Sequence, residues 1–239
     1  RLGFKYKEAR AVPAHFDEAK RVAFAKAEMK HCDGSYYVFM DESWVNATHR
    51  AKGRFVPEGD PRPVIKCRER HTPKVNTFAL LCEDGFYTWD LPEGEGKNGG
   101  VTQAQFQACF MKWVGPLLVH LKKWAKGRTV RFMLDGAGIH GVQKLLPWAK
   151  KNKVEFIQNW PSHSPDLNPI ENIFSRLKDE IGKELQIYDR KKLDQSKKKI
   201  SAKRDKVAKG LAGKCRPYVK SFKKRLRLCK ERKGAHTGY

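Results

Sequence analysis

Two apolar periods alternate along the chain, and their alternation predicts a mixed α/β domain. Ser35-Tyr36-Tyr37-Val38-Phe39-Met40 is rich in aromatic residues and stops at Asp41-Glu42-Ser43, which reads as a buried strand ending in acid. Val75 to Cys82 and Gly85 to Leu91 flank Glu83-Asp84-Gly85, and an acidic–glycine turn between apolar runs predicts a hairpin. Thr129 to Leu134, ending at Asp135, and the short run Val154 to Ile157 complete the strands. Helical spacing takes over between Thr102 and Ala125, where Phe106, Phe110, Val114, Leu117, Leu118 and Leu121 form a stripe. Pro116 in its middle predicts a kink or a break. A helix capped by Asp17 precedes the first strand, with a weak apolar face of Ala19, Val22, Ala23 and Ala27, and another holds Leu145, Leu146, Trp148 and Ala149.

The last strand leads into WPSHSPDLNPIENIFSRLK, residues 160–178, a proline-punctuated loop running into a helix. Asn168 suits the N-cap and Pro169 the first turn, where a missing N–H costs nothing. Ile170, Ile173, Phe174, Leu177 and Ile181 recur at helical spacing, and Glu171 lies at the border of that stripe. Two readings of Glu171 stand at this point. It closes a capping box with Asn168, or it is a ligand aimed into a groove. The element order is therefore helix, strand-Asp, hairpin, helix, strand-Asp, helix, strand, helix-Glu. Two aspartates end different strands, and a third carboxylate enters from a helix.

Composition narrows the partners. The 239 residues carry a net charge of +24, while a hydrophobic content of 40% supports a packed core. Between Arg190 and Lys233 stand 20 Lys/Arg against three acids, Asp194, Asp205 and Glu231, and the remainder is only mildly basic. So concentrated a charge points to a polyanion held through its phosphates. Lys197, Lys198, Lys199, Lys203, Arg204, Lys223, Lys224 and Arg225 are its candidate contacts, on a helical segment whose Val207, Leu211, Val219, Phe222, Leu226 and Leu228 pack on the body. No apolar run is long enough to span a membrane, and no signal-peptide core begins the chain. Six scattered cysteines form no metal-ligand spacing, which fits reduced intracellular thiols and argues against a zinc site. The glycine-rich GEGKNGG lacks the Gly-Lys-Ser/Thr ending of a phosphate-binding loop.

Three carboxylates suit Mg²⁺ or Mn²⁺, hard cations that prefer oxygen ligands, and two such ions can serve both oxygens of an in-line phosphoryl displacement. At VFMDES (38–43), HTPKVNTFALLCEDGFY (71–87), MLDGAGIH (133–140), WPSHSPDLNPIENIF (160–174) and KGAHTGY (233–239), the chain resembles the catalytic region of Tc/mariner DNA transposases. That resemblance implies an RNase H-like, retroviral-integrase-type fold: a mixed five-stranded sheet flanked by helices, with a basic helical C-terminal segment. It divides the chain into a lead-in and helix (1–31), a catalytic domain (32–188) and the basic segment (189–239). It implies a metal triad of Asp41, Asp135 and Glu171 holding Mg²⁺ or Mn²⁺ as two ions, with His140 and Asn168 in support. Asp166 is expected to shape its loop, and Glu42 to point to the opposite face of the strand from Asp41. The implied activity is metal-dependent cleavage and joining of double-stranded DNA at transposon ends, in the nucleus, by a homodimer assembled on DNA. Gly136 stands where the family more often has Asn. No pair of helix-turn-helix units precedes the first strand, so the chain is expected to hold DNA without reading transposon ends. The alternatives are a catalytically silent, transposase-derived DNA-binding protein and another RNase H-like nuclease.

Overall fold

The computed structural model describes residues 17–46, 74–96, 100–136, 138–189 and 197–239. The lead-in before Asp17, the proline-rich loop after the first strand and the middle of GEGKNGG lie outside these residues. Strands β1 (Ser35–Asn46), β2 (Lys74–Cys82), β3 (Gly85–Asp90), β4 (Thr129–Met133) and β5 (Glu155–Phe156) form one sheet in the order β3-β2-β1-β4-β5. β1, β2 and β3 pair antiparallel, and β4 lies parallel to both β1 and β5. This is the mixed, RNase H-like sheet expected from the sequence. Helices α1 (Glu18–Met29), α2 (Gln103–Ala125), α3 (Val142–Lys151), α4 (Ile170–Asp189), α5 (Lys197–Leu211) and α6 (Arg216–Glu231) cover it.

The period of two along the strands decides which helix covers which face. Tyr36, Val38 and Met40 of β1, with Phe78, Leu80 and Phe132, pack against Phe106, Phe110 and Leu121 of α2 and Leu145 of α3. Tyr37 and Phe39, one register step away, join Ala79, Leu81 and Met133 against α4, α5 and α6. Phe222 of α6 sits edge-on to both, at ring-centroid distances of 5.0 Å from Tyr37 and 4.9 Å from Phe39. Each such ring removed from water contributes ~1.5–3 kcal/mol. The basic C-terminal segment is thus a wall of the core: Leu211, Val219, Phe222 and Leu226 are buried, while Val207 packs at its margin.

Three sequence expectations change. β1 does not end at Asp41 but runs on to Asn46, because Asp41-Glu42-Ser43 pair with Ala79-Phe78-Thr77 of β2. α2 continues through Pro116; Phe110 and Val114 before it and Leu118 and Leu121 after it are all buried against one face, which outweighs the lost backbone bond. α1 buries Arg21, Phe24, Ala25 and Glu28 and leaves Ala19, Ala23 and Ala27 exposed. Its inward stripe ends in two charges, each with a buried partner: Arg21 meets Asp166, and Glu28 meets Arg131.

Candidate active site

The parallel register of β1 and β4 pairs Phe39 with Met133, and two further residues bring Asp41 level with Asp135. Beyond Phe39 β1 keeps only β2 as a partner, so the sheet parts between the two aspartates. Asp41 shares the parity of Tyr37 and Phe39 and faces α4. There the side-chain amide of Asn168 donates to Asp41 Oδ2 at 3.1 Å, and the Glu42 backbone N–H donates to Asp41 Oδ1 at 2.8 Å.

Asn168 also bears on the capping reading of Glu171. Its Oδ1 accepts from Ile170 N at 3.3 Å, which caps α4 as expected. Its own backbone N–H, which a reciprocal capping box would give to Glu171, donates to the Pro165 carbonyl at 3.0 Å. Glu171 stands in the first turn of α4.

Electrostatics tie the acids together. Burial, then the like charges of Glu171, Glu42 and Asp135, push the Asp41 carboxyl up to about 8. Loss of solvent also raises Glu171, with Asp135 adding to the shift and Lys178 opposing it. Among the described residues no three Asp, Glu, His or Cys side chains close on one point as a finished metal cage. The donor chemistry nevertheless fits a divalent cation. All three are hard oxygen ligands, and their mutual repulsion is what a bound cation relieves.

Glu42 lies on the opposite face from Asp41, as alternation requires, and there it meets His140. His140 Nε2 is 2.9 Å from Glu42 Oε1, while Nδ1 is 2.9 Å from Asp135 Oδ1 and 3.1 Å from the Asp135 carbonyl. With acceptors at both nitrogens the ring serves both only as an imidazolium. Burial opposes that charge, but the bonds to Asp135 and Glu42 push His140 up to about 10. The ring is fully buried and tilted against Phe106, centroids 4.7 Å apart. His140 therefore links Glu42 to Asp135, a role for Glu42 that strand alternation alone did not reveal.

The basic candidates divide. Lys197, Lys198, Lys199, Lys223 and Lys224 are exposed, and Lys203 is half-buried. Arg204 and Arg225 are not surface contacts, each being only 1% exposed. Arg204 binds Asp90, Asp205 and Thr77; Arg225 donates to Ser221, the Asp166 carbonyl and Asn172. Charge runs do not distinguish guanidinium groups aimed inward from those aimed out. On α6 the outward row is Arg216, Lys220, Lys223, Lys224, Arg227 and Lys230.

Residues 36–194 match the family described as DDE superfamily endonuclease. Over 60 residues the chain is 33% identical to the Tcb2 transposase and 35% identical to the Tcb1 transposase of Caenorhabditis briggsae, a match spanning 24% of this chain and 22% of each relative. The fold is similar to that in the Mos1 mariner paired end complex with Mn, with a TM-score of 0.76, 18% identity, and coverage of 98% of this chain and 68% of that one. It is also similar to the catalytic domain of Mos1 mariner transposase, with a TM-score of 0.65, 16% identity, and coverage of 94% and 98%. With a family match that takes in all three acids, the chain belongs to the DDE superfamily of endonucleases.

Proposed function

We propose that this domain cleaves and rejoins double-stranded DNA, with Asp41, Asp135 and Glu171 as the ligands of two Mg²⁺ or Mn²⁺ ions. The observation that carries this reading is the family match over β1, β4 and the start of α4, together with the register that brings Asp41 level with Asp135 and the bond that ties Asp41 to Asn168 at the start of α4. Bound divalent ions would activate the attacking oxygen and stabilise the leaving one in phosphoryl transfer. The chain's own residues supply the setting. Asn168 holds Asp41 from one side, and His140, anchored by Glu42, holds Asp135 from the other. Similar folds solved as a paired end complex and a pre-cleavage transpososome support DNA ends as the substrate, and the reading extends to a homodimer acting in the nucleus.

The outward row on α6 is the proposed track for the phosphate backbone. It extends over ~20 Å of helix and is opposed by few acids, chiefly Asp84 against Arg216, Asp33 against Lys223 and Glu231 against Arg227. The deciding experiment is DNA nicking and strand joining in Mg²⁺ or Mn²⁺. Cleavage that Asp135→Asn abolishes is expected. Salt-sensitive DNA binding without nicking by the unaltered chain would overturn the enzyme and leave a DNA-binding protein.

A further inference from the structure

Asp166 of the SPDLNP loop and the terminal KGAHTGY have no part in the site as described, yet they form one buried assembly. Asp166 is 3% exposed. Its carboxylate accepts from Arg21 of α1 at 3.0 and 2.7 Å and from the Thr237 backbone N–H at 2.8 Å. Its carbonyl accepts from Arg225 of α6 at 2.8 Å and from the Thr237 hydroxyl at 3.3 Å. Arg21 also donates to the Gly234 carbonyl at 2.7 Å and to the Ser164 hydroxyl at 2.6 Å. Arg225 reaches Asn172 of α4 at 2.6 Å and lies 4.1 Å from the Tyr239 ring centroid. Gly234 lets the chain turn back at φ +93°, and a Cβ there would fall 2.6 Å from Glu18 Cα. α1, the 164–168 loop, α6 and the last six residues thus meet at Asp166, and Arg225 carries the assembly on to α4.

The consequence lies two residues on. Asn168 follows Asp166 across a single 3-10 turn, Pro165–Leu167, and its amide holds Asp41. Asn168 also starts α4, which carries Glu171. We infer that the C-terminal segment 234–239 is a positioning lock for the active site: Thr237, through Asp166, fixes the loop from which Asn168 orients Asp41 and from which α4 aims Glu171. This deepens the catalytic reading and rests on it for the role of the acids, but the contact it fixes, Asn168 to Asp41, can be observed without catalysis.

The test compares the full chain with one stopped after Ala235 and with Thr237→Ser and Thr237→Val. Three measurements apply: far-UV circular dichroism for folding, hydrogen exchange of the Asn168 side-chain amide by NMR, and kcat and KM for DNA cleavage. The truncated chain should stay folded, exchange the Asn168 amide about tenfold faster, and lose about 10- to 100-fold in kcat at unchanged KM, as displaced catalytic groups do. Thr237→Ser, which keeps both bonds, should behave as the unaltered chain. Equal amide protection and equal kcat in a folded truncated chain would overturn the lock, as would a loss confined to KM. If truncation prevents folding, Thr237→Val takes its place, since it removes only the hydroxyl's bond to the Asp166 carbonyl. A smaller change in the same direction supports the lock, and no change in either readout overturns it. Should the unaltered chain fail to cleave, the enzyme reading falls, and the amide protection alone decides the lock.

Discussion

At the scale of single residues, two carboxylates of opposite character are linked through Asn168, which lies two residues after Asp166 and donates to Asp41. Burial raises Asp166, but Arg21 and the Thr237 N–H more than offset it and hold the carboxyl below its usual range. A depressed folded-state value means stability that is complete above the unfolded value of ~3.9 and is lost as pH falls below it. Asp166→Asn should therefore flatten the acid limb of a urea-stability profile below about pH 5, while costing ~3–5 kcal/mol at neutral pH because Arg21 is left buried and unpaired. Asp41 behaves in reverse. With its carboxyl raised to about 8, its contribution is present below pH ~3.9 and is lost as pH rises through 8. In metal-free protein at pH 8, Asp41→Asn should raise Tm, and Mg²⁺ should raise the Tm of the unaltered chain but not of the variant. A lower Tm for the metal-free variant would show that Asp41 is stabilised by its bonds more than it is strained by its neighbours.

Elements carry the next level of the design. Thr102 and Gln105 cap α2 reciprocally, at 3.3 and 3.0 Å, and the helix then runs through Pro116 because its buried stripe continues on both sides. Pro116→Ala should restore a donor to the Lys112 carbonyl and raise thermal stability by up to ~3 kcal/mol, read from denaturant midpoints. The turn after α6 has no such tolerance. Gly234→Ala sets a Cβ against the Glu18 backbone at positive φ, and a loss of more than ~1 kcal/mol is expected, with the contact between α1 and the C-terminus lost first in hydrogen exchange.

Across the whole molecule, charge sorts by direction. The inward guanidinium groups of Arg131 and Arg204 tie α1 and α5 to the sheet, those of Arg21 and Arg225 tie α1 and α6 to the 164–168 loop, and the outward cations of α5 and α6 face a polyanion. Substituting Lys220, Lys224 and Arg227 together by Gln should leave Tm within a few degrees and reduce the slope of log K for DNA against log salt by roughly 2.7. Substituting Arg204 should instead unfold the chain at lower temperature with little change in slope. No helix among the described residues is long and apolar enough to cross a membrane.

How much of this was legible in the sequence follows from range. Strand parity, the N-cap at Asn168, the hairpin turn and the three acids were legible because a period of two or 3.6 and a capping residue are local facts. The stripe Arg21-Phe24-Ala25-Glu28 was written at helical spacing too, but its partners lie elsewhere in the chain, Arg131 in β4 and Asp166 in a distant loop. A stripe ending in charges counts as core only once those partners are known. The reciprocal capping box at Glu171 was lost to the Pro165 carbonyl, which takes the Asn168 N–H, and the place of Arg225 turned on which way one helix face was turned. By itself, then, the sequence determined most of the elements and which of them carry the three acids. Only the tertiary structure decided which carboxylates repel, which are neutralised, and that the last six residues reach the loop beside the site, because burial and long-range pairing exist only once the chain has closed on itself.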